Sequence, residues 1–180
     1  LGGQVMVLGR SETFSIGPIS SNDGETPLNC KGTGGLSVRV EIPTGAIPAE
    51  EEDGVMITCS AISEDPVAPD FIWAGQAFRI SVLREGAVLE EFEFEPDHPP
   101  TLIAEYNESA LSGGSESEIE LGRQIGYANS PEWKTDSGST GANVVKLSPE
   151  SNVITATFRY PGSYAVVVGF HGVYLPLVVR

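Results

Sequence analysis

Gly34 to Pro48 reads GGLSVRVEIPTGAIP, a strand followed at once by its stop signal. Leu36, Val38, Val40 and Ile42 recur at every second position, with Ser37, Arg39 and Glu41 between them. That is the period of a strand with one face in a core and one in water. Pro43 removes a backbone donor, Gly45 admits a left-handed turn, and Pro48 closes the loop ahead of the acidic run Glu50-Glu51-Glu52-Asp53.

Outward from this stretch the same period recurs. Val55 to Ile62 alternates and is expected to be its partner strand. Gln76 to Arg84 places Phe78, Ile80 and Val82 inward, turns at Glu85-Gly86, and continues into Ala87 to Glu95, where Phe92 and Phe94 alternate with Glu91, Glu93 and Glu95. A hairpin is expected there, with its arginines facing its glutamates across the strands. Thr101 to Tyr106, Ile119 to Tyr127, Asn143 to Leu147, Val153 to Tyr160 and Ser163 to Gly169 complete the internal strands, the last two joined by Pro161-Gly162. Glu12 to Ile16 is a further short strand, and Ser20 to Gly35 reads as a loop and irregular connector. Glu108 to Glu118 reads as a loop with a brief helical turn, and Asn129 to Ala142 as an exposed excursion pinned by Trp133.

No segment of the 180 residues keeps apolar spacing at three and four, and 21 Gly with 13 Pro suit turns. The expected fold is all-β: one antiparallel β-sandwich domain over residues 1–180 with long irregular loops. Residues 1–33 supply an N-terminal strand and connector, and residues 170–180 a C-terminal strand.

The formal charge of −15, from 25 acidic and 10 basic side chains, argues against nucleic acid and anionic membranes as partners. No apolar run is long enough to cross a bilayer as a helix. A chain that starts at Leu1 rather than Met is expected to be a processed product, consistent with an extracellular or cell-surface location. Cys30 and Cys59 are either a disulfide or two separately buried thiols.

Catalytic constellations are absent: there is no phosphate-binding Gly-rich loop with a following Lys, no GxSxG elbow, no HExxH and no CxxC. His98 and His171 both lie in connector sequence without a nearby nucleophile. Paired carboxylates of a glycoside hydrolase need not be close in sequence, and among 25 acids some pair will approach by coincidence. The expectation is therefore a non-enzyme without a required cofactor. Calcium is a possible ligand at Glu50 to Asp53, or at Glu64, Asp65 and Asp70. Trp133, with Trp73, Tyr106, Tyr127 and Tyr160, is a candidate aromatic platform for a glycan. Asn107-Glu108-Ser109 is a glycosylation sequon.

The termini break the alternation. Val5, Met6, Val7 and Leu8 are apolar on both faces, as are Val173, Tyr174, Leu175, Leu177, Val178 and Val179, while Pro176 restricts the last strand to an edge or bulge. Two-sided apolar edges need cover. These ten residues are the expected assembly interface, with another copy or another surface protein as partner.

The Gly-Gly start, alternating strand and Pro-x-Gly-Ala-Ile-Pro ending of Gly34 to Pro48 resemble the β-sandwich domain shared by ankyrins, netrin receptors and zonula occludens proteins, with Thr44 where that family commonly has a second proline. The downstream order is similar to bacterial extracellular relatives: a strand near Gln76, an IAEY segment, a tryptophan loop at Trp133 and Asn152 to Val168 as a closing hairpin. The resemblance implies a non-enzymatic scaffold for protein contacts. Self-assembly into a filament or sheath is the functional expectation, with a carbohydrate-binding module and a glycoside hydrolase as alternatives.

Overall fold

A computed structural model of the protein describes residues 14–15, 26–31, 36–51, 54–62, 71–111, 116–125, 132–135 and 137–169. These residues form the strands β1 (Phe14–Ser15), β2 (Thr26–Lys31), β3 (Ser37–Ile42), β4 (Val55–Ala61), β5 (Phe71–Trp73), β6 (Phe78–Arg84), β7 (Ala87–Val88), β8 (Thr101–Glu105), β9 (Ile119–Ile125), β10 (Glu132–Lys134), β11 (Ala142–Ser148), β12 (Val153–Phe158) and β13 (Gly162–Gly169). They build two antiparallel sheets packed face to face, the expected β-sandwich. One sheet runs β1-β4-β6-β13-β9-β10, with β5 added to β13 and β7 to β6; the other runs β11-β12-β8-β3-β2.

The stretch that decided the fold behaves as its period requires. Val38, Val40 and Ile42 are buried while Ser37 and Arg39 face solvent. β3 ends at Pro43, whose carbonyl accepts from the Ala46 amide at 3.1 Å, and Gly45 has φ +81 beside the His98 ring.

Four local expectations need correction. The connector before Gly35 contains β2, an edge strand whose Leu28 and Cys30 are buried, in register with β3 from Thr26 opposite Ile42 to Lys31 opposite Ser37. Pro27, which lacks a ladder donor, is tolerated at that edge. β4 is not the partner of β3: it lies in the opposite sheet between β1 and β6. Alternation fixes which face is apolar but leaves the neighbour open.

The β6–β7 turn is a hairpin turn, with Glu85 at φ 52 and Gly86 at φ 83 as a primed turn requires. Its return strand lasts only two residues. The chain then leaves the ladder, and Phe92 and Phe94 enter the core from irregular backbone: the Phe94 amide donates to the Arg159 carbonyl and the Glu95 amide to that of Ala46. The charges accordingly pair elsewhere, Arg84 with Glu51 and Arg159 with Glu93.

Finally, β12 and β13 are not a closing hairpin, because they belong to different sheets. Arg159 to Pro161 carries the chain across the sandwich, and Phe158 and Tyr164 meet inside it with ring centroids 5.5 Å apart. The hairpin in this region is β11–β12, turned by Pro149–Ser151 and Asn152 at φ 52.

β13 explains its own broken alternation. Tyr164, Val166 and Val168 point into the main core, whereas Ala165 and Val167 join Ala77 and Trp133 in a second buried cluster outside the eight-stranded sheet. Ile62, Phe71 and Trp73 pack against that cluster. Two-sided apolarity here means burial on both faces.

Candidate functional site

Trp133 sits at the centre of β10, opposite Gln124 of β9. It is 6 % exposed and meets Trp73 edge to face, with ring centroids 5.0 Å apart. Gly122 lies beneath it, where a Cβ would come within 3.4 Å of the indole. The side chain pins the excursion to the sheet, as expected, and its face is not open for a sugar to stack on. Tyr106 is buried as well, and Tyr160 is covered by two guanidinium groups, with Arg123 at 5.0 Å and Arg159 at 5.8 Å from the ring centroid. Together with Trp133 they make packing contacts rather than a platform.

Cys30 and Cys59 form a disulfide across a Cα–Cα distance of 5.4 Å. Since β2 and β4 belong to different sheets, the bond ties the two layers of the sandwich together. The terminal residues Val5 to Leu8 and Val173 to Val179 lie outside the described residues, as do Glu52, Asp53, Glu64, Asp65, Asp70, Tyr127 and His171. Of the proposed calcium loop, Glu50 is exposed and the Glu51 carboxylate is engaged by Arg84. Among the described residues no group of three or more potential metal ligands comes together. Asn107 is exposed, and its Oδ1 accepts from both the amide (3.1 Å) and the hydroxyl (2.7 Å) of Ser109.

The geometry brings together a group that sequence reading did not single out. β13 lies between β6 and β9 but begins only at Gly162, opposite Ile80. Among the described residues, β9 continues to Ile125 with ladder partners on its β10 side alone, because its pairing to β13 starts at Arg123 opposite Tyr164. The far end of β6 is taken by β7 at Leu83 and Arg84. The sheet therefore divides into two wings, and a cavity of about 580 Å³ opens between them with Pro161 and Gly162 at the apex.

Two arginines line it. Arg79, on β6, donates from Nε to the Ser163 hydroxyl at 3.1 Å. Arg123, on β9, donates from Nη2 to the Pro161 carbonyl at 3.0 Å and lies over the Tyr160 ring. A Cβ on Gly162 would come within 3.2 Å of Arg123 Nε, so glycine lets the chain start β13 against the guanidinium. Ser81, Gln124 and Glu90 add polar atoms to the walls, and Leu89 and Ile125 add apolar surface. Of the five arginines among the described residues, Arg39, Arg84 and Arg159 hold the carboxylates of Glu41, Glu51 and Glu93. Arg79 and Arg123 hold none.

One sequence signal was available. Neither Arg79 nor Arg123 has an acid within two positions, but the same is true of Arg159, which finds Glu93 through space. No family model matches this chain, and no curated protein matches it.

Proposed function

We propose that this chain is a non-enzymatic, secreted structural or interaction protein of the cell surface, which assembles with copies of itself through its terminal strands into a filament or sheath. One observation carries the reading. In β13 an unbroken apolar run corresponds to burial on both faces, the core on one side and the Trp133 cluster on the other. Val173 to Val179 repeats that pattern directly after β13 in sequence, and so requires cover on both faces too. A neighbouring copy supplies such cover when it accepts the segment as an added strand. A disulfide between the sheets suits an oxidising, extracellular setting, and the resemblance of Gly34 to Pro48 to a protein-contact domain agrees with a scaffold role.

Sedimentation of the purified chain, paired with electron microscopy, tests the reading. Ordered polymers are expected, and deletion of Val173 to Arg180 is expected to abolish them while leaving the melting temperature of the sandwich in place. A dispersed monomer at micromolar concentration, unchanged by the deletion, would sink the proposal.

A further inference from the structure

The cleft between the two wings of the eight-stranded sheet combines features that a surface hollow on so acidic a chain does not ordinarily have. With 25 acids available to 10 bases, guanidinium groups have ample internal partners, yet the two facing this cavity form no ion pair among the described residues. Both are held in place instead. Ser163 fixes Arg79 through Nε, and the Tyr160 ring with the Pro161 carbonyl fixes Arg123. Each guanidinium carries five donors in a planar fork and spends one of them on the protein, so donors remain for a planar oxyanion. Groups already immobilised lose little further freedom when a ligand arrives.

The rest of the wall narrows the choice. Ser81 and Gln124 offer both donors and acceptors, and Glu90, the acidic residue among the lining groups, offers acceptors only. A carboxylate in the same wall penalises a ligand that is anionic throughout, but it receives hydroxyl donors well. Leu89 and Ile125 give C–H surface for the body of a ring. The volume of about 580 Å³ lies within the range of small-molecule sites, roughly 300–1,000 Å³. Charge acts in the same direction: the remaining acidic surface repels a polyanion along its length, whereas a single carboxylate within a Debye length of about 8 Å of the arginines responds to them first.

We propose that this cleft binds a uronic acid unit, with Arg79 and Arg123 taking the sugar carboxylate and Ser81, Gln124 and Glu90 its hydroxyls. This activity is independent of the assembly reading, which concerns other residues and is measured by particle size. Calorimetric titration of the full chain with galacturonate tests it, with galactose and acetate as controls that each lack one half of the ligand chemistry.

Galacturonate is expected to bind saturably and more weakly as salt is raised, and each control to bind at least about tenfold more weakly. Arg79 projects from the exposed side of β6, so Arg79→Gln is expected to keep the melting temperature and lose binding at least about tenfold. Arg123→Lys, which keeps the charge but removes the fork and the stacking, is expected to lose it similarly. A parallel titration with trigalacturonate distinguishes a chain-borne unit from the free sugar as its natural source. Absence of saturable heat with both galacturonate and trigalacturonate, or unchanged binding in Arg79→Gln, overturns the proposal. Acetate binding as tightly as galacturonate overturns it in favour of a bare anion site. A change of particle size in Arg79→Gln without any uronate binding reassigns the cleft to contact with the acidic surface of a second copy.

Discussion

Two phenols are buried in this sandwich in different company. Tyr106 donates its hydroxyl to Glu116 Oε1 at 3.0 Å, and Tyr164 donates to the Tyr160 carbonyl close to Arg123. Burial, then the hydrogen bond to Glu116 and the negative charge of Glu116 and Glu108, push the Tyr106 phenol from its ordinary 10.0 to about 12. Burial pushes Tyr164 upward as well, although the Arg123 charge opposes the shift. Because the neutral phenol is favoured in the folded protein, this contribution to stability is complete below the unfolded value near pH 10 and is lost as pH rises through the folded value. The melting temperature is therefore expected to decline from about pH 10 towards pH 12, with tyrosinate absorbance rising together with unfolding. Tyr106→Phe should make that decline shallower. A melting temperature unchanged across the window would contradict the assignment.

At the scale of elements, β10 is a three-residue strand laddered to β9 whose buried side chain is Trp133, which joins the outer cluster while Glu132 and Lys134 pair with each other. Trp133→Ala is expected to cost about 3 kcal/mol in urea unfolding and to erase the near-ultraviolet signal of the edge-to-face pair with Trp73. Retention of both would mean that the excursion is held by something else. The strands that could be read from sequence, such as β3, β6, β8 and β12, each present one apolar and one polar face. β2 escaped because Pro27, Asn29 and Lys31 have loop composition, and the edge position that admits them is not written locally. The β12–β13 crossing escaped because Pro161-Gly162 turns a chain equally well within a sheet or between sheets. The cleft had still less signal. Arg79 and Arg123 are distant in sequence and leave the sheet on opposite faces, and they come to line one hollow only where β13 falls short between their strands.

For the whole molecule, the disulfide is the covalent tie between layers that otherwise meet through side chains and a few crossing segments. Cys30 and Cys59 are separated by 29 positions, a loop for which a cross-link contributes about 3 kcal/mol by restricting the unfolded chain. The double variant Cys30→Ala, Cys59→Ala should lose about that much in denaturant unfolding, and reduction should bring the natural chain down to the same midpoint. A reductant-insensitive midpoint would show that the two sheets hold together without the bond.

The placement of β13 also sets a schedule for synthesis. The last strand of the described residues occupies the middle of the eight-stranded sheet, with β6 and β5 on one side and β9 on the other. Emerging from the ribosome, the β4–β6 and β9–β10 pairs must wait with open inner edges until this strand arrives to join them. For that interval the nascent protein is two half-sheets with a vacant slot between them, a state in which a segment of strand character from another chain competes for the place of its own.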